Sequence, residues 1–187
     1  MSERIGDWML TATGRQFWPL DPRPDEIDIE EIAAALSNVA RYGGHARPGR
    51  HYSVAQHSVH LADWFSARTH HDLAPWALLH DAAEAYLGDV IRPLKPCLAG
   101  YAEIEARLER VIFERFGLTG ALPDAVKDAD TKIIGDEMRF LFPAEALAAH
   151  GLDARPRLGL AIPAMRPDEA RVWFLLRFRT LFPGGKA

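Results

Sequence analysis

The sequence predicts an all-α fold in a single domain, preceded by a short irregular or hairpin segment. Apolar residues recur at helical spacing in several stretches between residues 28 and 181. Glycine and proline stand at the ends of these stretches, where helices stop and start. The chain has 187 residues, 48% of them hydrophobic, which suits one domain with one core. We therefore expect residues 1–187 to form a single unit.

The first 25 residues show no helical periodicity. Residues 9–11 and 16–18 flank Thr13-Gly14, a combination that predicts a small hairpin. A proline-rich stretch at 19–24 then separates this segment from the helices.

The helical part begins with an amphipathic helix at about 28–39, which Gly43-Gly44 stops. The next helix opens at Ser53, which forms a capping-box pattern with Gln56. Apolar spacing and terminal glycine or proline residues predict the second to seventh helices at about 53–67, 75–87, 102–116, 123–140, 143–150 and 167–181.

The predicted helix at 75–87 is apolar on all sides, yet His80, Asp81 and Glu84 lie in its middle. A helix of this kind is usually buried, and a buried carboxylate is costly unless it is paired or binds a metal. Glu84 follows His80 by four residues and Asp81 by three, so the three side chains project to one side of the helix. The pattern predicts a buried polar cluster that needs a partner.

Further metal ligands can come from two other predicted helices. His57 lies in the first turns of the second helix and Asp130 lies in the fifth. Asp128 and Asp124 compete with Asp130, but the apolar residues one turn later place Asp130 on the inward face. Together with His80 and Asp81, these side chains would suit one divalent ion: manganese, cobalt, nickel, iron, zinc or magnesium.

Structural interpretations of the same residues stay open. A second histidine-aspartate pair, His71-Asp72, lies among polar residues at a helix boundary and is interpreted as structural. The alternative for His80-Asp81 is a structural pair in a buried network, and the alternative for His57 is a hydrogen-bonded core histidine.

The order His57, then His80-Asp81, then Asp130 resembles the metal signature of the HD-domain phosphohydrolase superfamily. Residues 52–58 are similar to the segment that carries the superfamily's first histidine. Residues 80–84, followed by Gly88-Asp89, are similar to a stretch of bacterial 5′-deoxynucleotidases. The resemblance covers about 29–141 and implies an HD-domain-like helical bundle.

A second part of the resemblance concerns substrate binding. Arg41-Tyr42 stands where the deoxynucleotidases, and the related phage dATP triphosphohydrolases, carry a phosphate-binding arginine followed by an aromatic residue. The segment with Asp89 and Lys95 is similar to the family's sugar- and phosphate-contacting loop. Each residue also has a simpler interpretation: Arg41 as a helix C-terminal cation, Tyr42 as a packing residue, Asp89 as a turn residue and Lys95 as a solvated side chain.

The resemblance implies one divalent ion bound by the four ligands, with Glu84 as the catalytic acid or base beside it. Arg41 would clamp phosphate oxygens and Tyr42 would pack against sugar or base. The implied activity is hydrolysis at the 5′-phosphate of a nucleotide or deoxynucleotide, with that small molecule as the partner. Candidates for additional metal ligands are few, which favours a single ion.

Two other functions stay open. The substrate could be an alarmone, a cyclic nucleotide or another phosphate ester. The chain could also be an inactive HD domain that binds a nucleotide or a partner protein, although such a domain has no need for Glu84.

Composition excludes several classes of protein and site. The formal charge of −4 and the lack of a basic stripe disfavour nucleic-acid and anionic-membrane binding. Cys97 is the only cysteine, so the chain forms no internal disulfide and no cysteine-rich zinc site. No apolar stretch suits a signal peptide or a membrane helix of roughly 18 residues, so a cytoplasmic protein is expected.

The last predicted helix bears on the oligomeric state. It has more apolar residues than one amphipathic face needs, which fits either core or a subunit interface: Val172, Trp173, Phe174, Leu175, Leu176 and Phe178. A homo-oligomer, with a dimer as the simplest form, is the expected state of a cytosolic enzyme of this size.

Overall fold

A computed structural model of the chain describes residues 4–68 and 70–184. Within them the fold is helical, as the sequence predicts, and a two-stranded sheet of β1 (Met9–Leu10) and β2 (Gln16–Phe17) precedes the helices. The helices are α1 (Ile29–Asn38), α2 (Val54–Ser66), α3 (Ala74–Leu79), α4 (Glu84–Leu87), α5 (Tyr101–Arg115), α6 (Asp124–Leu141), α7 (Ala144–Ala149) and α8 (Pro167–Leu181). Residues 1–3, 69 and 185–187 of the predicted 1–187 domain lie outside the described residues.

The predicted hairpin is confirmed and is fastened to the helices at two points. β1 and β2 pair antiparallel, with Met9 opposite Phe17. Phe17 is 1% exposed and stacks on Tyr86 of α4, with 4.0 Å between ring centroids. On the other side, the hydroxyls of Thr11 and Thr13 donate to the buried carboxylate of Glu31 in α1. The hairpin therefore ties α1 to α4.

Helix α2 lies at the centre of the bundle and packs against α1, α3 and α8. It begins where predicted, because the Ser53 hydroxyl accepts a hydrogen bond from the Gln56 N–H (3.1 Å). The other half of the predicted capping box is replaced by a long-range bond: the Gln56 side chain donates to the carbonyl of Pro163 (2.8 Å). Gln56 thereby connects α2 to the segment that precedes α8.

The prediction of one continuous helix over 75–87 is wrong in its middle. The chain forms α3, then tight turns in which N–H groups bond three residues back (Ala82 to Leu79 and Glu84 to Asp81, both 3.0 Å), then α4. The ring of His80 bonds the carbonyl of Ala77 (2.9 Å), an oxygen that a continuous helix would offer only to the N–H of Asp81. The side chain of His80 and the backbone N–H of Asp81 thus compete for one carbonyl oxygen, and both residues are predicted metal ligands.

Helix α8 buries Phe174 and Phe178 against the core and leaves Val172, Trp173 and Leu176 between 42% and 56% exposed. The excess of apolar residues in this helix is therefore partly core and partly surface. The predicted homo-oligomer stays a prediction.

None of the helices in the described ranges combines the length and the apolar character needed to cross a membrane.

Candidate metal centre

The four predicted metal ligands come together from three places in the fold. His57 projects from α2, His80 and Asp81 from the turns between α3 and α4, and Asp130 from α6. One ligand atom from each lies within 4.8 Å of the others, so the group could hold a metal ion. The other candidates for metal ligands lie outside this group. Asp128 is exposed and forms an ion pair with Lys132, and His71 and Asp72 are both exposed.

The distances between the ligand atoms match those around a bound ion. The Nε2 atom of His57 is 3.1 Å from Nε2 of His80 and 3.2 Å from Oδ1 of Asp130. The Oδ2 atom of Asp81 is 3.2 Å from Nε2 of His80 and 3.5 Å from Nε2 of His57. Bonds of roughly 2.1 Å from a metal separate neighbouring ligand atoms by about 3.0 Å at right angles and about 3.4 Å in a tetrahedron. The donor set therefore fits one ion.

Hydrogen bonds on the far side of each imidazole set its tautomer. Nδ1 of His57 lies 2.5 Å from Oε1 of Glu137, and Nδ1 of His80 lies 2.9 Å from the carbonyl of Ala77. A carboxylate and a carbonyl only accept, so each Nδ1 carries the hydrogen of the neutral ring and each Nε2 keeps its lone pair. Two lone pairs and two carboxylate oxygens then face one another, an arrangement that calls for a cation between them.

The pKa shifts of these residues have a related cause, because the nearby carboxylates favour positive charge at the two histidines. Burial lowers the pKa of His80, but the carboxylates of Asp81 and Asp130 outweigh it and hold that pKa well above its ordinary value. Burial and Arg41 lower the pKa of His57, but Glu137 and Asp130 leave it raised. Burial opposes ionisation of Asp130 too, yet the two imidazoles hold its pKa far below the usual range. The carboxylates that favour a positive charge on these rings would equally favour a metal ion between the four side chains.

Arg41, predicted to bind phosphate, lies directly beside the ligand carboxylates. It begins a short 3₁₀ segment, Arg41–Gly44, between α1 and α2, and its side chain is 12% exposed. One guanidinium nitrogen is 3.1 Å from Oδ2 of Asp81 and the other is 3.9 Å from Oδ1 of Asp130. The backbone N–H of Arg41 donates to the carbonyl of Tyr52 (3.0 Å), which fixes the segment against the start of α2.

Tyr42 takes a left-handed backbone conformation (φ 59°), which is uncommon for a residue with a side chain. Its hydroxyl donates to Oε2 of Glu137 (2.5 Å), and its ring meets Phe142 edge-on. Tyr42 also borders the cavity described below, so its ring has both a packing contact and an open side.

Glu84, the predicted catalytic residue, begins α4 and is 4% exposed. Its Oε2 has no hydrogen-bond partner among the described residues, while its Oε1 is 3.6 Å from the ammonium of Lys95. Burial, followed by the charges of Asp81 and Asp89, raises the pKa of Glu84 to about 9. Glu84 therefore has a carboxyl oxygen available for proton exchange beside the ligand group.

A cavity of about 390 Å³ adjoins the ligand group, and every residue predicted to contact substrate borders it: Arg41, Tyr42, Glu84, Asp89 and Lys95. Asp89 is half-buried, and burial raises its pKa. Lys95 is less available than a solvated lysine, because its ammonium pairs with Glu105 at 2.9 Å. The structure thus brings together the whole predicted site.

Glu137 and Arg155 are among the residues of the site that the sequence analysis missed. Glu137 is fully buried between His57, Tyr42 and Arg41. It follows Asp130 by seven residues, two helical turns along the same face, and this spacing could have identified it. Arg155 borders the cavity from the segment after α7, where no periodic pattern marks it.

Packing against α6 holds the segment that contains Arg155. A Cβ atom at Gly135 would collide with the carbonyl oxygen of Pro156, so only glycine lets the two backbones approach this closely. The next residue, Asp136, accepts hydrogen bonds from the N–H groups of Leu158 (2.8 Å) and Gly159 (3.1 Å). The guanidinium of Arg155 has no ion pair within the part of the chain that the structure describes.

Comparison with profiles of known protein families finds no match. Two bacterial proteins are similar over nearly their full length. The chain is 37% identical over 186 residues to the uncharacterized protein RCAP_rcc00048 of Rhodobacter capsulatus, covering 93% of this chain and 95% of that one. It is 38% identical over 176 residues to the uncharacterized protein YfdR of Escherichia coli, with the same two coverages.

Proposed function

The chain belongs to one family with YfdR and RCAP_rcc00048, and we propose that it is a divalent-metal-dependent phosphohydrolase of the HD-domain type that acts on the 5′-phosphate of a nucleotide. Both relatives are uncharacterized, so support for the proposal comes from this chain's own site. The observation that carries it is the convergence of four ligand atoms beside a cavity bordered by an arginine and by a carboxyl oxygen that has no hydrogen-bond partner among the described residues.

The donor set supports metal-assisted hydrolysis over other chemistry. A divalent ion held by His57, His80, Asp81 and Asp130 would supply Lewis-acid activation of water and of a phosphoryl oxygen. The two histidines are held at Nδ1, so their Nε2 atoms are oriented before any ligand arrives.

Arg41 supplies the positive charge for the phosphate. Its two terminal nitrogens face Asp81 and Asp130 and lie at the cavity wall, so a phosphate group at the ligands would meet a planar donor fork. The same fork would offset negative charge that develops on the phosphoryl oxygens.

Glu84 supplies the proton transfer. Its unpartnered oxygen and its place on the cavity wall suit a group that takes a proton from water or gives one to the leaving oxygen. The ammonium of Lys95, 3.6 Å away, favours the carboxylate form of Glu84, but burial outweighs it and leaves the pKa raised.

The shape of the cavity supports a small substrate. About 390 Å³ lies within the range of roughly 300–1,000 Å³ that small-molecule sites occupy. Ile91, Ile134 and Met138 give the wall an apolar component that suits a sugar or a base, and Arg92 and Arg155 add cationic groups to the same wall.

The proposal is tested by metal-dependent hydrolysis of a nucleotide panel. Protein stripped with a chelator is given manganese, cobalt, nickel, magnesium or zinc in turn, then assayed with ribo- and deoxynucleoside mono-, di- and triphosphates. We expect turnover only after metal addition, and none with Asp81→Ala. Inorganic phosphate from monophosphates would identify a nucleotidase, and intact tripolyphosphate from triphosphates a triphosphohydrolase.

One result would contradict the proposed substrate class. If metal binds tightly but no nucleotide is hydrolysed with any metal, the assigned substrate class is wrong. Hydrolysis of a different phosphate ester would then assign the enzyme another class of substrate. Nucleotide binding without hydrolysis would support an inactive binding domain.

A further inference from the structure

Glu137 is a fully buried carboxylate whose two oxygens serve different parts of the site. Oε1 lies 2.5 Å from Nδ1 of His57. Oε2 accepts the hydroxyl of Tyr42 at 2.5 Å and lies 3.5 Å from Nε of Arg41. A buried carboxylate is costly without such partners, so these contacts help to fix the position of Glu137.

We propose that Glu137 is a positioning residue that couples the metal ligands to the phosphate-binding segment. Through Oε1 it fixes the ring of His57, and through Oε2 it fixes Arg41 and Tyr42. The part of this inference that concerns Arg41 rests on the proposed function, whereas the part that concerns His57 depends only on metal binding.

The contact with His57 sets both the tautomer and the rotation of the ring. With Nδ1–H bonded to Oε1, the Nε2 lone pair points at His80, Asp81 and Asp130. Without that acceptor, the ring could rotate or place its hydrogen on Nε2, and either change removes a ligand. Loss of such a carboxylate partner typically lowers metal affinity by roughly 10–100-fold.

The contacts with Tyr42 and Arg41 hold a strained turn. A non-glycine residue at φ 59° costs free energy and persists only where its surroundings hold it. The Tyr42 hydroxyl reaches Glu137 from this conformation, and Nε of Arg41 approaches the same oxygen. Arg41 therefore presents its two terminal nitrogens toward the ligand carboxylates, while its Nε lies at ion-pair distance (3.5 Å) from Glu137.

Two variants distinguish the contact of Glu137 with His57 from its contacts with Arg41 and Tyr42, and a third variant is the control. All three are measured without a nucleotide substrate. Metal affinity is determined by calorimetry with manganese, and anion affinity by titrating the metal-loaded protein with inorganic phosphate. Glu137→Gln should lower metal affinity by roughly 10–100-fold and weaken phosphate binding as well. Tyr42→Phe keeps the His57 contact, so it should weaken phosphate binding and leave metal affinity within about twofold of wild type.

Asp136→Asn is the matched control, because it alters a neighbouring buried carboxylate that bonds only backbone N–H groups. Its metal affinity should equal that of the wild type even if its melting temperature falls. Equal metal affinity in Glu137→Gln and wild type would overturn the proposal, as would a loss of metal affinity in Asp136→Asn as large as that in Glu137→Gln. Tight metal binding with the expected pattern but no nucleotide hydrolysis would reject the proposed function alone.

A measurement on the wild type covers the case in which Glu137→Gln does not fold. Nitrogen-15 spectra of the histidine rings in zinc-loaded protein should show His57 with hydrogen on Nδ1 and the metal on Nε2. Coordination through Nδ1, or a hydrogen-free Nδ1, would overturn the proposal without any substitution.

Discussion

The two ligand histidines differ in the acceptor that holds each ring. His80 bonds the carbonyl of Ala77 in its own turn, whereas His57 bonds the carboxylate of Glu137, which is 80 residues away. The first contact is local, between residues three positions apart, and lies where the predicted helix is interrupted. The second depends on how α6 packs against α2, so the spacing of Asp130 and Glu137 could suggest it but could not establish it.

Asp130 and Asp128 provide a matched pair for testing the ligand assignment. Asp130→Ala removes a carboxylate 3.2 Å from Nε2 of His57, so we expect metal affinity to fall by at least 100-fold. Asp128→Ala removes only an exposed ion pair with Lys132, so its metal affinity and stability should match the wild type. Calorimetric titration with metal distinguishes the two. Equal metal affinity in both variants would contradict the assignment of Asp130.

Glu84→Gln should separate metal binding from turnover. The amide fills the same space but exchanges no proton, so we expect kcat to fall by roughly 100-fold or more while metal affinity changes little. Steady-state kinetics on the substrate found in the nucleotide panel, with metal titration in parallel, gives both values. Full activity in this variant would reject the role given to Glu84.

At the scale of the elements, helix ends were predictable wherever local chemistry determines them. Asp28 and Ser53 accept from backbone N–H groups at the starts of α1 and α2, in agreement with the sequence pattern. The break between α3 and α4 was not predictable, since residues 76–87 contain no glycine or proline that would mark it and the break comes from tight turns at His80 and Asp81. The position of Arg155 at the cavity was not predictable for another reason. It depends on the contact between α6 and the segment that follows α7.

Gly135→Ala tests how that contact supports the cavity. Alanine in an open helix would add up to about 1 kcal/mol of stability, but overpacking costs about 1–3 kcal/mol, and here the new methyl group meets a backbone carbonyl that cannot rotate away. We expect a net loss of stability and weaker substrate binding, seen as a lower Tm and a higher KM. Thr131→Ala, exposed on the same helix, should stay within about 0.5 kcal/mol of wild type. A Gly135→Ala variant with a raised Tm would contradict the close packing.

For the whole molecule, the site gathers side chains from α2, from the α3–α4 turns and from α6, with Arg41 from the segment between α1 and α2. The ligand pattern was predictable because each of its parts lies within a short stretch of sequence. The cavity beyond it was not, since its wall combines residues from separate regions, including 89–95, 134–138 and 155. A metal ion at this junction would link the three ligand-bearing parts to one another.

Metal should therefore raise the melting temperature, and more so at higher pH. A metal at 100 times its Kd adds about 2.7 kcal/mol to the free energy of unfolding. The raised pKa values of His57 and His80 stabilise the metal-free fold most below the unfolded pKa of about 6.5, and this contribution is lost as pH rises through the folded values. Metal competes with those protons, so its effect on Tm should grow between pH 6 and pH 8.

Melting curves with and without manganese across this range, with Asp81→Ala as the control, provide the measurement. A metal effect that shrinks as pH rises, or one that persists in Asp81→Ala, would contradict the site.

The contact between Tyr42 and Glu137 joins residues 95 positions apart. During synthesis, a ribosome must therefore release α6 before the first histidine gains its carboxylate partner, and Asp130 becomes available only in the same helix. Residues 1–100 contain three of the four ligands but neither of these carboxylates. A nascent chain of that length offers an incomplete set of donors, so an ion that needs all four side chains could be bound only after α6 has been synthesised and packed.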